Sequence, residues 1–415
     1  MISQRLYSLF IFFLRTGIAL GSQFNDKLKK GHEGRKSSLD RVKKILHPQD
    51  SVLWMHAASL GEYEQGLPVF EQLKKHYFQC KTLLTFFSPS GYEFVERKTP
   101  NIADVICYLP YDEFYGMKAF VACFTPKIFF TVKYDFWYHL LSVLKERKTS
   151  VYVVSALFYD KQVFFRSYGK WMVKNLKMNV DTFFHQTERS KELAMSIGLM
   201  SSVFSGDTRM DRVKETVSKD LHIKGISAFC DKKLSIVFGS AWQGEDEIAQ
   251  NIYERHPEIK LLIAPHDLKR VALLKKRFFS SVLYSEWKEQ PVSEDFRVLI
   301  IDSIGLLSRL YSYGDIAVVG GGFHSGGLHN ILEAAVFGLP VIFGNHYKKN
   351  PEADALISAG GAKTFSDTAS ASDFVSKLVS DSVLRKSMSL MSKDFVERQP
   401  SASALVVGKV LSDIP

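Results

Sequence analysis

Short apolar runs alternate with helical patterns over residues 51–157 of the chain. The apolar runs predict five strands: SVLWMHAAS, KTLLTFFS, ADVICYLP, KIFFTVKY and VYVVSAL. Apolar residues at helical spacing predict helices in three of the intervening segments: EQGLPVFEQLKKHY, SPSGYEFVERK and HLLSVLKERK. Strands that are apolar throughout and alternate with helices are typical of a parallel sheet covered on both faces.

The same rhythm restarts after a charged interval at residues 205–233. Strands are predicted at LSIVFGS, IKLLIAP, RVLIIDS, DIAVVGGGF and PVIFGN, and helices at residues 245–255 and 330–338. The pattern predicts an α/β protein with two Rossmann-like, doubly wound domains that face a cleft. Ligands of such sheets bind beyond the carboxyl ends of the strands.

The order of these segments predicts four regions. Residues 1–47 form an apolar and basic segment, residues 48–205 the first domain, residues 206–232 a linker and residues 233–415 the second domain. The last helix of the second domain is a candidate for packing back on the first.

The amino-terminal segment combines an apolar run with many bases. LYSLFIFFLRTGIAL, residues 6–20, is interrupted by Arg15 and falls short of the roughly 20 apolar residues of a spanning helix. The first fifty residues hold ten bases and four acids, which is +6 of the net charge of +10. We expect a helix in an anionic membrane surface, with an amphipathic helix packed on the protein as the alternative. A membrane surface, rather than nucleic acid, is then the anionic partner.

Cysteine and histidine positions argue against a metal or disulfide framework. The cysteines are scattered and form no C-x-x-C pair: Cys80, Cys107, Cys123 and Cys230. This usage indicates a reducing compartment. His324 and His329 have no obvious third ligand nearby in the sequence, so we expect no metal site.

The segment of residues 316–345 carries the strongest local signal. A predicted strand runs into Gly320–Gly322, and Gly326 and Gly327 precede a predicted helix that starts near His329 and Asn330. Glycines let a ligand approach the backbone, and free amides at a helix start bind phosphate. Glu333 would lie in the first turn of this helix, placed to accept hydrogen bonds from ribose hydroxyls. The spacing fits neither a dinucleotide fingerprint nor a P-loop, and a glycine-rich turn without a ligand is the alternative.

WMHAASLGEYEQG, residues 54–66, places one carboxylate at a strand-to-helix turn. By local physics alone Glu62 is an acid stabilised at a helix start. Ser240 and Ser303, at two later strand ends, have helix capping as the alternative to ligand binding. Arg209 lies near the predicted domain boundary, where a cation could neutralise a phosphate.

An ordered series of motifs resembles the 3-deoxy-D-manno-octulosonic acid (Kdo) transferases of lipid A assembly. HAASLGEYEQGLPVFEQL resembles the amino-terminal signature of that family. The later blocks follow in the family's order: LPYD, the Asp135–Phe136–Trp137 step, HQTE, SGDTRMD, GSAWQGEDE and GGGFHSGGLHNILEAA. The resemblance covers nearly the whole chain, including its apolar and basic amino terminus.

The resemblance implies a glycosyltransferase B-type fold, with the acceptor held by the first domain and CMP-Kdo by the second. It implies inverting transfer of Kdo from CMP-Kdo to the lipid A precursor (lipid IVA) at the cytoplasmic face of the bacterial inner membrane, with no cofactor and no metal. The oligomeric state, the number of Kdo units added and the acyl pattern of the acceptor stay open. The alternatives are another nucleotide-sugar enzyme of this fold, for example a UDP-sugar enzyme, and a non-catalytic membrane-associated binding protein.

The resemblance also implies roles for particular residues. Glu62 matches the family's general base, and Arg209 stands where the family has a lysine thought to stabilise departing charge. The expected donor-binding residues are Ser240, Pro265, His266, Ile304, Gly305, Leu306, Gly321, Gly322, His329, Asn330, Ile331, Leu332 and Glu333. The residues expected on the acceptor side are Ser59, Gly61 and Asp135.

Four positions depart from the family's pattern. Pro265 stands where the family has an arginine, and Leu157 aligns with a second arginine of the family. Lys133 and Asp135 stand where the family has paired acids, and Ile331 replaces a proline. These departures concern the arrangement of charge at the site.

Overall fold

The computed structural model describes residues 2–289, 296–348 and 350–414. The chain forms two compact units. Unit 1 comprises the described residues up to Arg212 together with those from Pro400 onward, and unit 2 runs from Val213 to Gln399. Each unit contains a seven-stranded parallel sheet, so the prediction of two Rossmann-like α/β sheets is confirmed.

Unit 1 is built on a sheet of order β3-β2-β1-β4-β5-β6-β7. Its strands are β1 Ser51–Ala57, β2 Lys81–Phe86, β3 Val105–Tyr108, β4 Thr125–Val132, β5 Ser150–Ala156, β6 Thr182–His185 and β7 Ser202–Phe204. Its helices are α1 Ile2–Gly21, α2 Asp26–Lys36, α3 Ser38–Ile45, α4 Leu60–His76, α5 Pro89–Lys98, α6 Phe114–Val121, α7 Tyr138–Glu146, α8 Lys170–Asn179 and α9 Glu188–Ser196. The helix α10, Arg209–Val217, crosses the boundary between the units.

Unit 2 is built on a sheet of order β10-β11-β9-β8-β12-β13-β14. Its strands are β8 Ser235–Ala241, β9 Lys260–Pro265, β10 Ser281–Leu283, β11 Val298–Ile300, β12 Ile316–Val319, β13 Val341–Gly344 and β14 Ala362–Phe365. Its helices are α11 Ile226–Cys230, α12 Gln243–Arg255, α13 Val271–Arg277, α14 Tyr284–Trp287, α15 Leu307–Leu310, α16 Leu332–Ala335, α17 Pro351–Ser358, α18 Thr368–Ser380 and α19 Ser382–Glu397. The last helix, α20 Ala402–Asp413, belongs to unit 1.

The central strand β1 shows why the sheet forms. Six of its seven residues are buried, and successive side chains point to opposite faces of a strand. Trp54 packs on one face with Phe120, Phe124 and Phe129, while Met55 belongs to the apolar cluster on the other face. Both faces of the sheet are therefore covered, which is why the strand is apolar throughout.

Strand order defines where each sheet can bind a ligand. In unit 1 the strand order runs from β1 through β2 to β3 toward one edge of the sheet and from β4 to β7 toward the other; in unit 2 the order changes in the same way between β8 and β12. At such a switch point the connections that follow the two adjacent strands lie on opposite faces of the sheet, so a crevice opens at the carboxyl ends of those strands. The β1–α4 turn and the glycine-rich segment after β12 lie at these two points.

Two local predictions need correction. The helix expected at residues 330–338 is only the four-residue α16, because Gly338 takes a left-handed conformation, at φ +71°, that ends the helical turns. Residues 206–232, expected to be a linker, contain both α10 and α11.

The helix α1 packs on unit 1 through one side and exposes apolar residues on the other. Tyr7 and Ile11 are buried. The exposed apolar side chains are Leu6, Leu9, Phe10, Phe12, Phe13 and Leu20. Among the described residues, no helix has both the length and the apolar character needed to cross a membrane.

Candidate functional site

The turn between β1 and α4 directs Glu62 to the end of the neighbouring strand. Ser59 is extended, and α4 begins at Leu60, so Glu62 lies in the first helical turn. One carboxylate oxygen of Glu62, Oε1, is 3.1 Å from Nζ of Lys133, and the other, Oε2, accepts a hydrogen bond from the Ser59 hydroxyl. The side chains of Lys133 and Glu62 are 24% and 17% exposed, so the pair is half-buried and reachable from solvent.

Strand pairing brings Lys133 to Glu62. In the sheet β1 pairs with β4, with His56 beside Thr131, and Lys133 directly follows β4. The carboxyl ends of adjacent parallel strands meet at one edge, so the residues that follow them become neighbours. The sequence marked Lys133 only as a departure from the family's pattern. Its place at the carboxyl end of the predicted strand KIFFTVKY was the signal that could have identified it.

The charge pair controls the ionisation of Glu62. Burial alone would raise its pKa, because a carboxylate loses hydration there. The Lys133 ammonium, with hydrogen bonds from Ser59, Lys133 and the backbone amide of Glu62, outweighs burial and holds the pKa of Glu62 below its ordinary value. Glu62 is therefore a carboxylate at neutral pH and can accept a proton.

Asp135, expected on the acceptor side, is held by a buried histidine. Nε2 of His56 lies 2.7 Å from Oδ2 of Asp135, and Nδ1 of His56 lies 2.9 Å from Oγ1 of Thr85. His56 has no exposed surface. A buried histidine in a strand is usually a core residue, so the sequence alone assigns His56 no role. Its position next to β4 gives it a partner that the sequence does not reveal.

Arg209 is paired with a neighbouring acid. Nε of Arg209 lies 2.9 Å from Oδ2 of Asp207, and a second guanidinium nitrogen lies 2.5 Å from the same oxygen. The amide of Gln65, in α4, donates to the other oxygen of Asp207 at 3.2 Å. The helix that carries Glu62 therefore also contacts the segment that carries Arg209.

A cavity of about 530 Å³ lies at the carboxyl ends of β8, β9 and β11 in unit 2. Five of the predicted donor residues line it: Ser240, Pro265, His266, Ile304 and Gly305. The other lining residues are Trp242, Ala264, Asp267, Leu268, Ile301, Ser303 and Leu307. Within the described parts of the chain, this wall includes no lysine or arginine, consistent with proline at the position of the family's arginine.

Stacked rings form one wall of this cavity. Trp242 stacks on His266 with ring centroids 4.1 Å apart, and His329 lies 4.8 Å from His266. Burial, reinforced by His266 and His324, lowers the pKa of His329 to about 4. Burial also lowers the pKa of His266. Both rings are therefore neutral at physiological pH.

Glycines after β12 are required by the packing of the chain itself. A Cβ at Gly320 would lie 2.0 Å from the carbonyl oxygen of Ser240, and one at Gly322 would lie 2.5 Å from that of Gly344. Gly321 takes a left-handed conformation at φ +94°. These contacts explain much of the glycine content without a ligand.

The predicted donor residues that follow the glycines differ in how far they are buried. The Asn330 amide donates to Glu333 at 3.1 Å, and its oxygen accepts from the backbone amide of Leu332 at 3.1 Å. Ile331 and Leu332 are fully buried, so they offer a ligand backbone atoms at most. Leu306 is partly exposed and immediately precedes α15 as its N-cap residue.

Within the described residues, no group of three or more histidine, cysteine, aspartate or glutamate side chains is arranged to hold a metal ion.

Comparison with known proteins identifies the family of the first unit. Residues 32–212 match the family model of 3-deoxy-D-manno-octulosonic-acid transferase (kdotransferase). The 3-deoxy-D-manno-octulosonic acid transferase of Aquifex aeolicus is 28% identical over 331 residues, which is 77% of this chain and 85% of that protein. That of Haemophilus influenzae is 27% identical over 78% of each chain.

Solved structures share the fold. The UDP-GlcNAc 2-epimerase of Neisseria meningitidis, bound to UDP-GlcNAc, has a TM-score of 0.61 at 16% identity and covers 87% of this chain and 100% of that one. Another UDP-N-acetylglucosamine 2-epimerase has a TM-score of 0.62 at 14% identity and covers 89% of this chain and 96% of that one. At such identities the likeness concerns the fold alone. The match of residues 32–212 to the 3-deoxy-D-manno-octulosonic-acid transferase model and the curated relatives together show that the chain is a glycosyltransferase.

Proposed function

We propose that the chain transfers Kdo from CMP-Kdo to a lipid A precursor, lipid IVA, with inversion at the anomeric carbon. The observation that carries this proposal is the partly exposed Glu62 carboxylate at the β1–β4 switch point, held ionised by Lys133. A general base must be within hydrogen-bond reach of the hydroxyl and must be ionised before the proton moves. Glu62 meets the second condition, and its exposure is compatible with the first.

The reaction follows from the groups in place. A hydroxyl of the acceptor gives its proton to Glu62, and its oxygen forms a bond to the anomeric carbon of Kdo. The bond from that carbon to the phosphate oxygen breaks, and CMP leaves with the electron pair. Charge that develops on the phosphate needs donors already in position. Arg209 is proposed to supply one, since Asp207 holds its guanidinium at the start of α10 and a guanidinium suits the geometry of a phosphate.

The unit 2 cavity is proposed to hold the CMP part of the donor. Its stacked Trp242 and His266 rings offer a flat surface, and its hydroxyls, Ser240 and Ser303, offer donors. Asn330 and Glu333 are proposed to form hydrogen bonds with the ribose. Because no lysine or arginine lies among the described wall residues, His266 and backbone amides would supply the phosphate contacts that this cavity makes, in addition to the one proposed for Arg209.

The chain is proposed to act at the cytoplasmic face of the inner membrane. The exposed side of α1 presents six large apolar side chains: Leu6, Leu9, Phe10, Phe12, Phe13 and Leu20. The basic residues of α2 and α3 follow directly. A helix with an exposed apolar side next to bases is suited to the surface of an anionic leaflet.

The test is transfer by Glu62→Gln, with CMP release and the mass of the lipid product measured. We expect transfer to fall roughly 100-fold or more, as for loss of a general base, with an unchanged thermal midpoint and unchanged CMP binding. Glu71→Gln, on the same helix away from the turn, is the control and should transfer normally. Near-normal transfer by a folded Glu62→Gln variant would refute the role of Glu62.

A further inference from the structure

Lys133 departs from the family's pattern and combines an unusual backbone conformation with a direct contact to Glu62. It stands where the family has an acid, and it adopts a left-handed backbone conformation at φ +63°, which is uncommon for a residue with a side chain. Its Nζ lies 3.1 Å from Oε1 of Glu62. We propose that Lys133 is a positioning residue that fixes the Glu62 carboxylate for proton transfer. This inference rests on the proposed function, in which Glu62 is the base.

The backbone around Lys133 is held by the sheet. Its N–H donates to the carbonyl of Val154 at 2.9 Å, which continues the pairing of β4 with β5. An unusual conformation persists only where the surroundings enforce it. Here the sheet enforces it, and the turn sends the lysine side chain toward β1 and the start of α4. The lysine side chain therefore extends from a fixed backbone position.

Both oxygens of Glu62 have a protein donor. Ser59 donates to Oε2 and Lys133 to Oε1, and the backbone amide of Glu62 also contacts its carboxylate. A carboxylate has about four lone-pair sites. Three donors leave about one site free for an incoming hydroxyl. The donors thereby select one orientation of the carboxylate.

Other charged and titratable groups near Glu62 do not replace the lysine. Tyr134, next in the chain, is half-exposed, and its pKa is raised by burial, by Tyr159 and by the charges of Glu62 and Asp135. Asp135 is held by His56. Lys133 is therefore the cation that balances Glu62 in the part of unit 1 described around the turn. The arrangement keeps Glu62 ionised and makes it a weaker but well-oriented base.

The contact differs from a solvated surface pair. Lys118 and Glu146, on α6 and α7 of the same unit, form an ion pair at 3.0 Å with side chains 45% and 52% exposed. Exposed pairs of that kind contribute little to stability because water screens the charges. Lys118→Met is thus a matched control: it removes an ion pair from the same unit without touching Glu62.

The experiment compares Lys133→Met, Lys133→Arg and Lys118→Met. The methionine keeps the length of the side chain and removes the charge, while the arginine keeps the charge. The carboxyl carbon of Glu62 is followed by ¹³C NMR over a pH titration and is assigned by its absence in Glu62→Gln. The pH dependence of kcat/KM, and kcat and KM separately, are measured with CMP-Kdo and lipid IVA.

In Lys133→Met we expect the Glu62 titration and the acid limb of kcat/KM to move together to higher pH. We expect kcat to fall roughly 10- to 100-fold, as when a catalytic group is misplaced, with KM for CMP-Kdo unchanged. Lys133→Arg should restore the acid limb, and Lys118→Met should match the wild type.

Two results would overturn the inference in distinguishable ways. If the NMR titration of Glu62 is the same in Lys133→Met and wild type, the ion pair does not control Glu62, whatever the reaction. If the titration shifts but Glu62→Gln transfers normally, the pair exists and Glu62 is not the base, so the proposed function fails with it.

Discussion

At the residue scale, Gly61 leaves open space next to Glu62. A Cβ at Gly61 would meet no atom within 4 Å, although the residue lies inside α4. Packing in the described structure therefore does not require glycine there. A helical glycine costs up to about 1 kcal/mol relative to alanine, so its presence is consistent with clearance for a substrate.

Gly61→Ala tests this clearance. We expect an unchanged or slightly higher free energy of unfolding, together with a rise of several-fold in KM for the lipid acceptor and no change in KM for CMP-Kdo. Gly408→Ala is the control, because Gly408 also lies in a helix with nothing within 4 Å of its Cβ. An acceptor KM that does not move would show that the acceptor does not approach Gly61.

At the element scale, α1 is connected to the segment that carries Lys133 and Asp135. The Tyr7 hydroxyl donates to Oδ2 of Asp112 at 2.7 Å, and Asp112 accepts from the backbone amides of His139 and Leu140 at 2.9 and 2.8 Å. These amides begin α7, so one buried carboxylate joins α1 to the helix that follows residues 133–137. Burial raises the pKa of Asp112 to about 6, against the effect of these three donors.

Tyr7→Phe removes one of the three donors and leaves the ring. Because the hydroxyl favours the ionised carboxylate, its loss raises the pKa of Asp112 further. We expect a loss of about 1.5–3 kcal/mol in the free energy of unfolding at pH 7.5, the range for hydrogen bonds to charged groups. The loss should shrink below about pH 6, where Asp112 is protonated in both proteins.

Chemical denaturation at pH 7.5 and pH 5 measures the effect of Tyr7→Phe. The exposed Tyr115 gives a matched control, since Tyr115→Phe makes the same chemical change outside any buried contact. A loss that is equal at both pH values would contradict the role of the Asp112 charge.

At the scale of the whole molecule, unit 1 is completed by the carboxyl-terminal end of the chain. Val406, Val407 and Val410 of α20 are buried in the same apolar cluster as strand β1 and helix α4. The Gln72 amide donates to the Ser403 hydroxyl at 2.7 Å, which attaches α20 to the helix that carries Glu62. Folding of the site in unit 1 therefore depends on residues at the far end of the sequence.

Val406→Ala should destabilise unit 1 by about 2 kcal/mol, from lost burial and the cavity that remains. Hydrogen exchange resolved by peptide measures this, with faster exchange expected in β1 and α4 and unchanged exchange in β8 and β12. Leu405→Ala, at an exposed position of the same helix, should change neither. Equal acceleration in both units would mean that α20 does not belong to unit 1 alone.

The sequence predicted ten of the fourteen described strands and missed the short strands β6, β7, β10 and β14. Strands such as β1 and β8 are buried on both faces, so most of their residues are apolar and the pattern is clear. The helix expected at residues 330–338 spans only Leu332–Ala335, and the turn that follows reaches Gly338 in a left-handed conformation, which a helical pattern of apolar residues does not reveal.

Residue order along the chain determined the α/β class and the motif series, while Glu62 became the candidate base only through the family resemblance that those motifs carry. Local pattern suffices there, because strand apolarity and motif spacing are properties of neighbours in sequence. Only the tertiary structure decided that Lys133 pairs with Glu62, that His56 holds Asp135, and that Asp207 holds Arg209. The first two pairs join residues 71 and 79 positions apart, and they meet because β1 and β4 lie side by side. The order of strands in a sheet is set by packing of the whole unit, so no local pattern contains it.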